Sequence, residues 1–167
     1  MLSKNIETAL NKQVHIEAES SQIYLSMASW SETHGLEGIS KFMYAQSDEE
    51  RVHMLKVMKF INERGGHAQV TELKAPKTNY ETFQEMFEEL YKHEVFVSNA
   101  INELVHIALT EKDYASHNFL QWFVAEQIEE EAQAKNILDK IHLIGDDKGG
   151  LYLFDRDIQQ PNVKGSK

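Results

Sequence analysis

Cysteine is absent from this chain of 167 residues, and proline and glycine are scarce, with two and eight residues respectively. Without cysteine the chain cannot form a disulfide, a zinc–thiolate site or an iron–sulfur cluster. Few prolines and glycines leave room for long uninterrupted helices. The chain also lacks an apolar N-terminal signal region and an apolar run of membrane-spanning length, so we expect a cytoplasmic protein with no membrane partner.

Positive charge is the second shortage. The chain has 17 lysine and arginine residues against 27 aspartate and glutamate residues, which gives a formal net charge of −10. This balance argues against sequence-independent binding to nucleic acid or to an anionic membrane, because both carry negative charge. Cations are better partners. The length fits one domain with a substantial core, which we place at residues 1–160, with residues 161–167 as a flexible tail.

Four segments carry apolar stripes at steps of three and four residues, and polar side chains interrupt each stripe near its middle. Such steps place a stripe on one side of an α-helix, the side that should face a core. A lone ionised carboxylate in an apolar core is strongly unfavourable, so it survives there only when it is paired or bound to metal. The interrupting residues, in chain order, are Glu17, Glu50, His53, Glu94, Gln127 and Glu130.

The interruptions also repeat along the chain. Glu17 precedes Glu50 by 33 residues. Glu94 precedes Gln127 by the same number, and a shift of 77 residues superimposes the two pairs. The repeat predicts two helical hairpins of common design, each of which supplies half of one site.

Breaks in the periodicity predict an all-α fold of four long helices and a short fifth one. The expected helices cover residues 4–33, 38–64, 78–109 (opening with a capping box at 78–81), 115–144 and a short stretch from 151. The linker at 65–77 can stretch to roughly 45 Å, and a helix of about 27 residues is only ~40 Å long. The linker is therefore long enough to run the length of a bundle and leave the second and third helices parallel, although the sequence does not compel this.

Glu50 and His53 lie on adjacent turns of one helix face and can hold a cation between them. With the carboxylates at matched depths in the other helices, they predict a site for two metal ions. Carboxylates with few imidazoles and no sulfur suit iron or manganese, while zinc remains an alternative. Two plainer interpretations are a surface location for these residues and a salt-bridged core. The stripes stay apolar on both sides of the interruptions and lack lysine and arginine nearby, which argues against both.

Three segments are similar to bacterial non-haem ferritins, namely residues 49–53, 91–94 and 118–131, and the similarity extends over nearly the whole chain. The resemblance implies a ferritin-like four-helix bundle with one long crossover loop and a short fifth C-terminal helix. It also implies a homo-oligomeric shell of twenty-four subunits. Such a shell would oxidise Fe(II) with dioxygen or peroxide, a ferroxidase activity, and store the ferric mineral in its cavity.

By this resemblance two iron ions bind within each subunit. Glu17, Glu50 and His53 would be ligands of the first ion. Glu94 would be a ligand of the second ion, with Glu50 as a bridge between the two.

The second hairpin differs from that of symmetric di-iron proteins, which repeat Glu-x-x-His. It has Gln127-x-x-Glu130 instead, and this pair would complete the surroundings of the second ion. Because the pair has a neutral amide and no imidazole, we expect the second iron to be bound more weakly and to exchange more readily. Arg51 follows Glu50 at the position where haem-binding bacterioferritins carry methionine, so we expect no haem.

A third iron position beside the pair is implied as well, since bacterial non-haem ferritins have one. Its carboxylates would be those of Glu49, Glu126, Glu129 and Glu130. Glu126 and Glu130 lie one helical turn apart, and Glu49 corresponds to Glu126 in the 77-residue repeat. The plainer interpretation is that these glutamates form solvated helix faces.

Two aromatic residues are candidate electron donors to the metal centre, although both also suit an ordinary helical core. Tyr24 lies two turns beyond Glu17, and Trp122 lies one turn before Glu126. Two other functions stay open at this point. One is a di-iron oxidase or peroxide scavenger that forms no cage, against which the short fifth helix argues. The other is a non-catalytic metal-buffering shell, against which the intact ligand set argues.

Overall fold

The computed structural model describes residues 1–158, which form five α-helices and contain no β-strand. The helices are α1 (Lys4–Thr33), α2 (Glu37–Glu63), α3 (Phe83–Thr110), α4 (Tyr114–Ile144) and α5 (Lys148–Ile158). The prediction of an all-α fold with four long helices and a short fifth one is confirmed. The predicted flexible tail, residues 161–167, lies outside the described residues.

Two helix starts differ from the prediction by three residues or more. The third helix does not open with a capping box at 78–81. Instead, Thr82 is its N-cap, because the Thr82 hydroxyl accepts a hydrogen bond from the backbone N–H of Glu85 at 3.0 Å. Residues 78–81 precede the helix and pack against α1 instead. The Tyr80 ring is buried and lies edge-on against Trp30, with 5.5 Å between ring centroids.

The fifth helix begins three residues before the predicted stretch. It starts at Lys148 rather than at 151, because the carboxylate of Asp147 accepts a hydrogen bond from the backbone N–H of Gly150 at 2.6 Å. This carboxylate satisfies one of the free N–H groups of the first turn. A turn that contains two glycines is thus included in the helix.

The topology is that of two antiparallel hairpins joined by a long crossover. α1 also runs antiparallel to α3, because Ser31 contacts Met86 near one end and Tyr24 contacts Glu94 near the middle. α2 and α3 are therefore parallel. Residues 64–82 run alongside α1, with the backbone N–H of Gln69 bonded to the side chain of Asn11 at one end. The sequence permitted this crossover arrangement, and the structure adopts it.

The bundle interior has two apolar clusters separated by a polar layer. One cluster lies near the start of α1 and includes Leu10, Val57, Ile101, Leu120 and Phe123. The other lies near the end of α1 and includes Met27, Ile39, Met43, Phe87 and Ile141. The six residues that interrupt the stripes lie between the clusters and are only 1 to 6% exposed. The interpretation that they lie on the surface is therefore wrong.

α5 packs across one end of the bundle. Phe154 is buried against Phe87, with 6.2 Å between ring centroids. The Asp155 carboxylate accepts a hydrogen bond from the backbone N–H of Ile39 at 2.8 Å. Since the N-cap residue of α2, Leu36, makes no side-chain cap, α5 supplies this cap from elsewhere in the chain. Within residues 1–158 no helix is long and apolar enough to cross a membrane.

Candidate metal centre

The first hairpin brings three predicted ligands into one buried group. Glu17 of α1 and Glu50 and His53 of α2 each offer a ligand atom, and these atoms lie within 4.8 Å of one another. Nδ1 of His53 is 3.3 Å from Oε2 of Glu50 and 4.0 Å from Oε2 of Glu17. Such an arrangement of two carboxylates and one imidazole suits a borderline divalent cation.

Serine side chains hold the two helices of this hairpin together next to the group. The Ser21 hydroxyl donates to the carbonyl oxygen of Ser47 at 2.8 Å, and the Ser47 hydroxyl donates to that of Ser21 at 2.7 Å. Each serine lies one turn from a glutamate of the group. Because serine is small, the helices can approach closely at this level, which brings Glu17 and Glu50 together.

The two oxygens of Glu17 have different surroundings. Oε1 accepts a hydrogen bond from the side-chain amide of Gln13 at 2.8 Å. Oε2 is buried and, among the residues that the structure describes, has no hydrogen-bond partner. A buried oxygen without a partner is costly in a protein interior. A bound cation would satisfy Oε2, and Glu50 and His53 lie where such an ion needs its other ligands.

The second hairpin places its predicted ligands in the same buried layer, but each of them already has a hydrogen-bond partner. The Tyr24 hydroxyl donates to one oxygen of Glu94, and the Gln127 amide donates to the other at 3.2 Å. The Gln46 amide donates to Glu130 at 3.0 Å. In residues 1–158, Glu94 and Glu130 do not join a group of three acidic or histidine ligands as close as the one in the first hairpin.

Burial gives the four carboxyl groups of the layer raised pKa values. It is the largest cause at each of them, and it moves the pKa of Glu17 and Glu50 well above the ordinary range. Burial also raises the pKa of Glu94, and with the nearby Glu94 charge it raises the pKa of Glu130 to about 7. No lysine or arginine of the described chain pairs with them, so the salt-bridged core proposed as an alternative is not present there. Burial thus favours the protonated forms of these carboxyl groups, and a cation that binds them would displace such protons.

A second potential metal group lies next to the first and shares His53 with it. Glu49 of α2 and Glu126 of α4 offer oxygens that lie with a His53 nitrogen within 4.8 Å of one another. The sequence pattern predicted Glu49 and Glu126 for a third site but did not include His53. Glu129 is exposed and Glu130 is buried in the central layer, and neither belongs to this group in the part of the chain described.

The two candidate redox residues have different environments. Tyr24 is fully buried, and burial together with the Glu94 charge moves its pKa well above the ordinary range. Trp122 lies partly exposed with its ring edge-on to His53, at 5.2 Å between centroids. The ammonium group of Lys56 lies 3.8 Å from the centre of the Trp122 ring.

Gln13 and Gln46 are the residues of the site that sequence analysis missed. A faint signal exists for both, since Gln13 lies one turn before Glu17 and Gln46 lies on the interrupted stripe of α2. Their roles as hydrogen-bond donors depend on side-chain orientation, which the pattern does not contain.

Comparison with known proteins places this geometry in a family. Residues 7–144 match the family described as ferritin-like domain. The chain is 43% identical to the bacterial non-heme ferritin of Campylobacter jejuni over 159 residues, which are 95% of each chain. It is 42% identical to a probable bacterial non-heme ferritin-like protein of Haemophilus influenzae, covering 98% of this chain and 99% of that one. Among solved structures, an open-pore ferritin from Archaeoglobus fulgidus superposes with a TM-score of 0.94 at 42% identity, covering 96% of this chain and 99% of that chain.

Proposed function

The chain belongs to the bacterial non-haem ferritins, and from that premise we propose that it oxidises Fe(II) at the buried centre and stores the ferric product inside a homo-oligomeric shell. The observation that carries the proposal is the buried group of Glu17, Glu50 and His53, in which one carboxylate oxygen lacks a partner within residues 1–158. Iron is here the substrate and the stored cargo.

The residues divide between two iron ions. Glu17, Glu50 and His53 bind the first ion, for which their ligand atoms are already close together. Glu94 binds the second ion, and Glu50, which interacts electrostatically with Glu94, bridges the pair. Since ionised Glu130 is the fourth carboxylate of the layer, four negative charges offset the four positive charges of two Fe(II) ions.

Two Fe(II) ions held in one centre match the electron requirement of dioxygen. Each ion gives one electron, and two electrons with two protons convert one O₂ to one H₂O₂. Gln127 contributes a neutral amide rather than a fourth strong ligand at the second position, which keeps that iron exchangeable. Tyr24 is our candidate for an additional electron donor, because its hydroxyl contacts Glu94 directly.

Three further features complete the proposal. A third iron binds beside the pair at Glu49 and Glu126, with Glu129 and Glu130 on adjoining positions of α4, and passes between the centre and the cavity. The shell contains twenty-four subunits. Haem is not bound, because Arg51 stands where an axial methionine would be required.

Aerobic addition of Fe(II) to the metal-free protein tests this function. We expect rapid oxidation, a molar mass many times that of the single chain, and retention of many iron ions per shell. The variant Glu50→Gln should lose rapid oxidation, whereas Glu63→Gln, an exposed glutamate on the same helix, should keep it. Oxidation by a small particle that retains no iron would indicate a di-iron oxidase without a cage. Retention of iron at equal rates in both variants would indicate a metal-buffering shell.

A further inference from the structure

Two buried glutamines contact the carboxylates of the metal centre, and neither has a place in the function proposed so far. The Nε2 group of Gln13 donates to Oε1 of Glu17 one turn later on α1, at 2.8 Å. The Nε2 group of Gln46 on α2 donates to Oε2 of Glu130 on α4, at 3.0 Å. The glutamines are only 2% and 7% exposed. Both are therefore part of the polar layer and not of the surface.

The direction of these hydrogen bonds follows from the groups involved. A carboxylate that binds metal is ionised and can only accept, so in the metal-bound centre each glutamine must present its NH₂ group and not its carbonyl oxygen. The donated hydrogen bond engages one of the two oxygens of each carboxylate. At Glu17 the engaged oxygen is Oε1, and the other oxygen, Oε2, is the buried atom that lacks a partner among the described residues.

Glu50 differs from these two carboxylates. In residues 1–158 no glutamine or asparagine amide donates to it, and its Oε2 lies 3.3 Å from Nδ1 of His53. Its carboxyl group interacts with Glu17 as well, so its partners are other predicted ligands of the centre and no amide of the described chain outside the ligand set holds it, as suits a bridging ligand between two ions. The distribution of amide donors therefore distinguishes a bridging carboxylate from terminal ones.

On the basis of the proposed function, we propose that Gln13 and Gln46 are positioning residues that each limit one carboxylate to a single metal-binding oxygen. Gln13 leaves Glu17 with Oε2, and Gln46 leaves Glu130 with Oε1. Groups that hold a ligand from behind fix its orientation and commonly change metal affinity about 10- to 100-fold when removed. A ligand limited to one oxygen also keeps coordination positions of the iron open for the oxidant.

Binding of Co²⁺ to the metal-free full-length protein tests this proposal without relying on activity. The visible d–d spectrum of Co²⁺ reports its coordination number. We expect Gln13→Met to weaken binding of the first Co²⁺ about tenfold, because Glu17 loses the group that fixes its orientation. The variant should also reduce the d–d absorption, because Glu17 can then bind through both oxygens and raise the coordination number. Gln46→Met should leave the first Co²⁺ unchanged and alter only the second. Gln22→Met, at an exposed glutamine on α1, is the matched control and should alter neither.

The variant Glu17→Gln separates failure of this proposal from failure of the proposed function. If Glu17→Gln weakens the first Co²⁺ while Gln13→Met leaves affinity and spectrum as in the parent, the centre exists and the role of Gln13 is refuted. If Glu17→Gln has no effect either, the metal centre itself is wrong.

A crystal structure of the parent protein with Co²⁺ gives the same answer without any variant. Oε2 of Glu17 should contact the ion while Oε1 stays bonded to Gln13, and Glu130 should bind through Oε1. A chelating Glu17 with Gln13 turned away would overturn the proposal.

Discussion

In the first hairpin, Glu17, Glu50 and His53 already lie within ligand distance of one another, and one oxygen of Glu17 has no partner in the described chain. In the second hairpin, both oxygens of Glu94 accept hydrogen bonds, from Tyr24 and from an amide. The 77-residue repeat gives both hairpins the same positions for polar side chains. The two hairpins differ in how many carboxylate oxygens are free to bind metal, because hydrogen-bond donors surround Glu94 but leave one oxygen of Glu17 without a partner in the described chain. A metal that binds Glu94 meets oxygens that already accept hydrogen bonds, whereas a metal in the first half meets an oxygen of Glu17 that accepts none within the described chain.

Removal of His53 should have the largest effect, because it takes the imidazole from the half that is already assembled. We expect His53→Ala to lower the initial rate of Fe(II) oxidation at least about 100-fold, and Gln127→Ala to lower it about tenfold. Stopped-flow absorbance of the ferric product measures both rates. His106→Ala, at an exposed histidine on α3, serves as the control. Equal losses of rate in the two variants would contradict the claim that the first hairpin is better prepared for metal than the second.

The raised pKa of Glu130 should give the metal-free protein an unusual dependence of stability on pH. The pKa rises from 4.5 in the unfolded chain to about 7 in the folded one, so the folded state binds the extra proton. The contribution of Glu130 to the free energy of unfolding is fully present below about pH 4.5. It is lost as the pH rises through about 7, which lowers the stability by about 3 kcal/mol. Urea unfolding of chelator-treated protein between these pH values measures the loss.

The variant Glu130→Gln provides the control for this pH dependence. It cannot ionise, so it should remove the Glu130 contribution and make the metal-free protein more stable than the parent at pH 8. Glu17 and Glu50, whose pKa values are also raised, should keep a dependence of stability on pH that has the same sign as in the parent protein but is weaker. A parent protein that becomes more stable over this pH range would contradict the assignment.

Tyr24→Phe should narrow the difference between the hairpins, with a smaller effect than the loss of His53. The change removes the hydroxyl that occupies one oxygen of Glu94, so the second metal no longer has to displace it. Since a neutral hydrogen bond contributes about 1 kcal/mol, we expect the second Zn²⁺ to bind about fivefold more tightly and the first to bind unchanged. Competition with a chromophoric chelator measures both affinities. Tyr44→Phe, at an exposed tyrosine, should change neither, and tighter binding of the first ion instead would count against our assignment.

The smallest expected effect concerns how the second helix of each hairpin begins. α4 is capped by Asp113, its own N-cap residue, whereas α2 depends on Asp155 of α5. Asp155→Ala should therefore reduce stability by about 1 kcal/mol, as measured by denaturant unfolding. Deletion of residue 148 onward should reduce it more, because Phe154 also leaves the core. Asp157→Ala, at an exposed position on α5, should have no effect, and an equal loss there would refute the cap.

Periodicity predicted the helices and the central ligands because both follow from which residues must be buried. The start of α3 could not be predicted in this way. Thr78 and Thr82 are each followed three residues later by a glutamate, and the sequence does not show that Thr82 becomes the cap while Tyr80 packs on Trp30. The amide donors were missed because hydrogen bonds between helices depend on how the helices pack. The same packing brings His53, and not Glu129, into the group with Glu49.

His53 belongs to both potential metal groups, and this sharing links their thermodynamics. A neutral imidazole has one lone pair for metal, so an ion that takes it in one group leaves the other group without this ligand and lowers the affinity there. The change is reciprocal, because free energy depends only on the state. An ion at Glu17 and Glu50 changes the affinity of the group of Glu49 and Glu126 by the same factor as an ion in that group changes the affinity at Glu17 and Glu50. If iron passes through the group of Glu49 and Glu126 as proposed, its occupancy there should shift the affinity measured at the group of Glu17 and Glu50.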